Sequence, residues 1–396
     1  MSERPAILGG TPEFGEPLAF AQPTREPGYG EDALEAIEAS LSSGMLTDGP
    51  LVRELEERAA VTLGAAHCVA VSSGTAGLLL LLQALDVSGP VLVPSFTFSA
   101  TAHAVVWNGL DVVFADCDAE TWCLGPDQLT GRPGAVIGVH VSGVPVDVIG
   151  LQKVATEMGI PIIYDAAHGA GSLVATESGG LTPLGGFGAG AVFSLTPTKV
   201  MSGAEGGLIT TNDADMAEHL RVARNYGNPG DYDTRFAGLN ARLSELHAAL
   251  ALGSLERLED RVTHRNAVAK RYQAGLGEIS GITCQGIPIG SRSSYKDFTI
   301  RIEEATFGAS RDAVNAALHA EGISTRLYYS PPVHLQAAYA DVVTPPLPVT
   351  ETLGRQVITL PMWSHLPFED VDRVVGALGR IAHHAQELAA AATADH

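Results

Sequence analysis

The chain has 396 residues, 45% of them hydrophobic and 17% charged, which is the profile of a folded globular enzyme and excludes disorder and collagen-like structure. Lys and Arg total 24 against 45 Asp and Glu, a net charge of -21 that repels nucleic acid and anionic membrane surfaces. Four cysteines, Cys68, Cys117, Cys123 and Cys284, form no CxxC pair and show no metal-like spacing, so reduced thiols packed in or near the core, in a cytoplasmic setting, are expected rather than a disulfide scaffold.

The start, Met1-Ser2-Glu3-Arg4-Pro5, lacks a charged region followed by an apolar core, and no apolar run approaches the roughly 18 residues of a membrane span. A soluble protein is expected. The first forty-odd residues are rich in Gly and Pro and lead through a helical stretch, Glu31 to Leu41, as an arm into the main domain. From Leu51 to Leu63 apolar positions recur at helical spacing among Glu and Arg, the mark of an amphipathic surface helix. Then the pattern changes. Short apolar runs at 68–71, 91–93, 112–115, 135–139, 160–164, 191–193 and 208–210 alternate with longer helical or loop stretches, which predicts a largely parallel sheet covered on both faces. Residues 242–276 read as one or two long helices bridging two domains. A strand at Phe298–Ile302, a helix near 310–321 and another at 369–388 make a smaller α+β unit, with a frayed Ala-rich end beyond Leu388. The domains are therefore placed at 1–260 and 261–396.

Ligands of open α/β sheets bind beyond the carboxyl ends of the strands, so the residues after each apolar run matter most. After 68–71 comes Ser72-Ser73-Gly74-Thr75-Ala76-Gly77, leading into the apolar Leu78 to Leu82. Free N–H groups, hydroxyls and a helix dipole at such a start form an anion site, and Gly74 lets a phosphate approach the backbone; an ordinary Ser/Thr cap on a core helix explains the segment equally well. The run at 160–164 ends in Asp165-Ala166-Ala167-His168, a carboxylate at the lip of a buried strand that needs a cationic partner unless it merely caps the next helix. His168 has no second ligand at metal spacing, so no metal site is expected. After 191–193 the chain reads Ser194-Leu195-Thr196-Pro197-Thr198-Lys199. The sequence has four lysines, Lys153, Lys199, Lys270 and Lys296, and one of them sits here among small residues, where a partly buried amine could serve as a Schiff-base nucleophile. Neither GxxxxGK[ST] nor GxGxxG follows any of these strands. Phe96 and Phe98, past the run at 91–93, offer a ring to cover a planar ligand, although core packing is the commoner fate of either.

A phosphate cradle, an aromatic cover, a strand-end Asp and a strand-end Lys, in this order and spacing, resemble the DegT/DnrJ/EryC1/StrS aminotransferases. The resemblance also runs through Thr47-Asp48-Gly49-Pro50, Gly203-Ala204-Glu205-Gly206-Gly207, Gly238-Leu239-Asn240-Ala241-Arg242, Tyr329 with Pro332 and His334, and Leu360-Pro361. It implies an α/β fold of the type I pyridoxal phosphate enzymes, with a seven-stranded, mostly parallel sheet in the large domain, a small C-terminal α+β domain, and a homodimer sharing its active sites. By the same resemblance Lys199 would bind pyridoxal 5'-phosphate covalently and shuttle the substrate proton. Asp165 would pair with the pyridinium nitrogen, Phe98 stack on the ring and His168 lie near the ring hydroxyl. Gly74, Thr75 and Ser194 would hold the phosphate, joined by Asn240 of the neighbouring subunit. Arg242, Arg326, Tyr329 and His334 are the candidate substrate contacts. Two residues depart from the family pattern: Val200, where Asn usually follows the lysine, and Ala204, where Gly is usual before the glutamate. The implied activity is transfer of an amino group from glutamate or glutamine to a keto-sugar or keto-cyclitol, in antibiotic or cell-surface sugar biosynthesis. The alternatives are a sugar dehydratase of the same fold, against which Lys199 argues, and a non-catalytic regulatory protein.

Overall fold

Strands that are apolar on both faces must be covered on both, and the chain meets that demand with one central sheet. The computed structural model describes residues 4–21, 30–176 and 179–394, so Met1 to Glu3 and positions 22–29 of the expected arm lie outside the described residues. The sheet is built from β1 (His67–Val71), β2 (Val91–Pro94), β3 (Val112–Ala115), β4 (Ala135–Val139), β5 (Ile162–Asp165), β8 (Gly190–Ser194) and β9 (Gly207–Thr211). Its order is β1-β9-β8-β5-β4-β2-β3. Only β9 runs against its neighbours, β1 and β8; the other pairings are parallel. A small hairpin of β6 (Leu173–Ala175) and β7 (Leu181–Pro183) follows β5.

The helices are α1 (Glu31–Ser43), α2 (Pro50–Leu63), α3 (Gly74–Ala84), α4 (Ser99–Trp107), α5 (Val148–Met158) and α6 (Ala214–Ala223), followed by α7 (Glu245–Glu256) and α8 (Leu258–Leu276). Two of them show why they start where they do. α2 opens with Pro50, which has no N–H to leave unpaired, and its next free amides are taken by the buried carboxylate of Glu245. Glu245 accepts from Gly49 at 2.9 Å, Leu51 at 2.9 Å and Val52 at 3.1 Å. α3 is capped by Ser73, whose hydroxyl accepts from Ala76 N at 3.0 Å, and it buries Leu78, Leu80, Leu81 and Leu82.

The smaller unit is the antiparallel sheet β10 (Ile282–Cys284), β11 (Phe298–Ile302) and β12 (Val357–Leu360), with the short α9 (Glu304–Phe307), α10 (Arg311–Ala320), α11 (Pro348–Gln356), α12 (Phe368–His383) and α13 (Ala385–Ala394). The stretch 242–276 divides at Arg257 into two helices, one of the two forms expected of it. Two differences from the sequence reading stand out: the Ala-rich end continues as α13 rather than fraying, and the N-terminal segment packs with the smaller unit. Ala has the highest helix propensity, and Leu388 anchors α13 in the second core, which accounts for the helix.

α8 carries Leu258 and Val262 into the core of the large sheet, and Val268, Tyr272 and Leu276 into the core of the small one. Phe14 and Leu18 pack in that second core too. Glu13 is held there by Arg380 at 2.7 Å and Arg373 at 3.1 Å, while the guanidinium of Arg373 lies over the ring of Phe14. Glu321, fully buried, accepts the N–H groups of Ala6 and Glu13 at 2.9 Å each. Among the described residues no helix is long and apolar enough to cross a membrane.

Candidate active site

The carboxyl ends of the parallel strands open into a cavity of about 280 Å³. At one side, β1 ends at Val71 and the chain turns through Ser73 into α3, so both readings of this segment hold together: Ser73 caps the helix, and Gly74 and Thr75 line the cavity with the first amides of the helix, which have no partner within it. Ser194, the last residue of β8, stands beside them. A Cβ on Gly74 would meet Ser194 Cβ at 3.2 Å, so glycine is what lets helix and strand end close into one cradle. Hydroxyls, amides and the positive end of a helix dipole suit a phosphate.

Next along the sheet, Asp165 ends β5 with its carboxylate 6% exposed. Oδ2 accepts from Thr101 Oγ1 at 2.7 Å and Oδ1 from Ala167 N at 3.1 Å, and no described cation lies within ion-pairing distance. Burial pushes this carboxyl above its ordinary value against those two bonds and the amine of Lys199, so the site lacks a positive charge at this point.

Lys199 is presented by a turn in which its own N–H donates to Thr196 O at 3.0 Å. The loop around it is fixed from below: Val200 and Met201 are buried in the large core, and Arg261 donates to Val200 O at 2.9 Å. Val200 therefore fills a packing position and takes no part in lining the cavity. Ala204 adopts φ +66°, a left-handed conformation that glycine enters freely and alanine does not, which explains the usual glycine there. The amine of Lys199 is driven down to about 7, first by burial and then by the ammonium of Lys296, against the pull of Asp297 and Asp165.

His168 lies at the same mouth, its Nδ1 3.9 Å from Asp297 Oδ2, and burial followed by Lys199 and Lys296 holds the ring neutral. The two phenylalanines part company. Phe96 is buried and meets Tyr329 and Trp122 edge to face, whereas Phe98 is 59% exposed at the cavity wall. Tyr329 lines the cavity. Arg326, His334, Arg242 and Asn240 do not. The guanidinium of Arg326 is 5.2 Å from the Phe20 ring centroid, and His334 Nδ1 is 2.6 Å from Ser95 Oγ, where it steadies the β2–α4 loop. Arg242 stands over Tyr226, and Asn240 is exposed, bridged to Asn225.

Three cavity residues escaped the sequence reading of the site: His140, Lys296 and Tyr328, the neighbour of Tyr329. His140 directly follows the run 135–139, so the strand-end rule itself points to it. Its Nδ1 accepts from Val146 N at 3.0 Å, burial lowers it to about 3, and its Nε2 is buried without a partner. Lys296, known beforehand only as one of four lysines, precedes β11 and arrives by a tertiary contact that no local pattern announces. Among the described residues no group of three or more His, Cys, Asp or Glu could hold a metal ion.

The model of the DegT/DnrJ/EryC1/StrS aminotransferase family matches residues 27–379. A UDP-N-acetyl-3-dehydro-alpha-D-glucosamine 3-aminotransferase of Acidithiobacillus ferrooxidans is 33% identical over 361 residues, covering 89% of this chain and 94% of the relative. The erythromycin biosynthesis sensory transduction protein EryC1 of Saccharopolyspora erythraea is 35% identical over 356 residues, 88% of this chain and 94% of its own. The crystal structure of DesI, determined in the presence of its TDP-sugar product, superposes with a TM-score of 0.90 at 37% identity and covers 98% of both chains.

Proposed function

Because the chain belongs to the DegT/DnrJ/EryC1/StrS aminotransferase family, whose members are pyridoxal phosphate enzymes, we propose that it aminates a keto-sugar carried on a nucleoside diphosphate, with glutamate or glutamine as donor. The residues fit the cofactor on their own chemistry. A buried carboxylate without a cation, a helix-end cradle for an anion and an amine lowered to about 7 line one cavity. That convergence of Asp165, Lys199 and the Gly74 cradle is the observation that carries the reading, and the sugar class comes from relatives that act on a UDP-sugar or were solved with a TDP-sugar product.

When bound, the cofactor supplies an electrophilic carbon that carries the amino group and a ring that accepts electron density as a Cα–H bond breaks. Ser194, Gly74 and Thr75 would hold its phosphate. Asp165 Oδ2, already fixed by Thr101, would keep a ring nitrogen protonated. Phe98 would cover the ring, and His168 would meet its hydroxyl as a neutral imidazole. Lys199 Nζ is the group that takes a proton from the substrate carbon and returns it, a task that needs an amine able to exist neutral near pH 7.

A homodimer is part of the proposal. Leu34, Met45, Leu46, Trp107, Tyr232 and Leu239 are exposed on the single chain, and Asn240 is exposed and takes no part in lining its own cavity, which suits a residue given to a second copy. The division into domains 1–260 and 261–396 is proposed with it, supported by the change of core partners along α8, with the exception that Phe14 and Leu18 of the N-terminal segment pack in the second core. Four free thiols fit the reducing cytoplasm.

The test is a spectrum of the purified protein with pyridoxal 5'-phosphate. A visible-edge band that shifts on adding glutamate or glutamine, and borohydride labelling on Lys199, are expected. Covalent capture of cofactor should rise through about pH 7, because the amine reacts only when neutral. A band indifferent to every amino acid, or label on Lys153, Lys270 or Lys296, overturns the reading.

A further inference from the structure

Lys296 helps to lower the Lys199 amine but has no ligand of its own, and it forms part of the cavity wall with Tyr328 and Tyr329. Its side chain is 4% exposed and its ammonium makes one hydrogen bond, to Asp297 Oδ1 at 2.7 Å, with the Tyr328 ring centroid 5.6 Å away. An ammonium has three donors, and the bond to Asp297 uses one of them. Burying such a pair is costly, and one hydrogen bond does not offset the removal of an ammonium and a carboxylate from water. Structural ion pairs also need no cavity beside them.

The position is held deliberately. Asp297 N donates to Ser142 O at 3.4 Å and Ser294 Oγ to His168 O at 2.8 Å, which pins the start of β11 across the turn after β4 and the segment after β5. Gly143, at φ +90°, makes the approach possible: a Cβ there would lie 2.2 Å from Ser294 Oγ and 3.2 Å from Lys296 N. In the sheet order β1-β9-β8-β5-β4, the phosphate cradle stands over β1 and β8, Asp165 on β5, and Lys296 over the β5–β4 side. The cavity thus has a cationic end on the far side of Asp165 from its cradle, displaced from β8 by two strands or roughly 10 Å.

We infer that Lys296, oriented by Asp297, is the anchor for the α-carboxylate of the amino donor. The inference rests on the aminotransferase reading above and names a subsite within it. An α-amino acid carries its carboxylate on the very carbon that bears the reacting nitrogen, so a cation in the same cavity as Lys199 meets that group first. The diphosphate of a sugar nucleotide is separated from the carbonyl by several ring atoms and does not belong this deep. Asp297 keeps the ammonium turned to the cavity and shares its second oxygen with the mouth at His168.

The experiment compares the wild-type holoenzyme with Lys296→Met, Lys296→Arg and the double variant Lys296→Met/Asp297→Asn, which leaves no orphaned carboxylate should the single variant fold poorly. Spectral titrations with L-glutamate, L-glutamine and 4-aminobutyrate give half-saturation and limiting rate separately, and calorimetry gives the affinities for UDP and TDP. The loss of a charge-assisted bond to a carboxylate should raise half-saturation for glutamate about ten- to hundredfold in Lys296→Met and in the double variant. The limiting rate should fall far less, Lys296→Arg should recover part of the loss, and 4-aminobutyrate, which has no α-carboxylate, should keep its half-saturation and show only the rate loss, common to all donors, that follows from removing a charge that lowers the Lys199 amine. Unchanged glutamate affinity in the double variant overturns the assignment, as does a loss confined to UDP and TDP, which would make Lys296 a diphosphate contact. A wild-type enzyme that responds to no α-amino acid overturns the aminotransferase reading itself, an outcome visible before any variant is made.

Discussion

In the proposed reading, Asp165 serves catalysis against stability. Its carboxyl is raised by burial, so ionising it costs the folded protein more than it costs the unfolded chain in water. A group raised above its unfolded value stabilises below that value, near 3.8 for Asp, and the contribution is lost as pH climbs through the folded value. Asp165→Asn should therefore leave the cofactor-free protein at least as stable as the wild type at pH 8, while turnover falls about a hundredfold or more because a neutral amide cannot hold a ring nitrogen protonated. Thermal unfolding of the cofactor-free form and single-turnover rates with donor check the two halves. A marked loss of stability, or a near-normal rate, would contradict the role given to this residue.

At the scale of the elements, Glu245 does for α2 what a capping residue normally does from within the same helix. Three backbone amides depend on one buried carboxylate contributed by the first turn of α7, nearly two hundred positions away. Glu245→Ala should cost about 3 kcal/mol, since it removes charge-assisted bonds and leaves buried donors unpaired. Glu245→Gln, which keeps an acceptor oxygen, should cost about half of that. The shift in urea midpoint measures both, and a change under about 1 kcal/mol for the alanine variant would show that water replaces the carboxylate. Such long-range dependence marks the limit of what the sequence discloses. The seven runs of the large sheet were legible because a strand covered on both faces must be apolar throughout, and Gly74, Asp165 and Lys199 followed because strand ends are where such sheets bind. The hairpin at 173–183 was not legible, since three-residue strands that are partly exposed leave no pattern. Lys296 was invisible as a site residue for another reason: its place depends on a glycine at 143 and a hydroxyl at 294 that acquire meaning only when β11 crosses the turn after β4.

For the molecule as a whole, the dimer proposal makes a quantitative claim. If Asn240 serves the neighbouring subunit's phosphate site, Lys199→Ala and Asn240→Ala chains, each nearly inactive alone, should complement when refolded together. One site of each hybrid collects both defects and the other is intact, so random pairing restores about a quarter of all sites. No recovery on mixing would place Asn240 in its own subunit.

The N-terminal segment has a bearing on how such a chain comes into being. Glu13 is synthesised 308 residues before its partner Glu321, 360 before Arg373 and 367 before Arg380. Synthesis at about 5–20 residues per second keeps them apart for tens of seconds, during which the large sheet can already close. The chain therefore passes through a state in which its sheet is complete while residues 13–18 wait, with an apolar ring and a carboxylate uncovered, for a surface that has yet to be made. Closing that circuit spans more than three hundred residues, which makes the seam between residues 13–18 and the helices α10 and α12 a late step of folding and a place where a nascent copy is open to capture by chaperones.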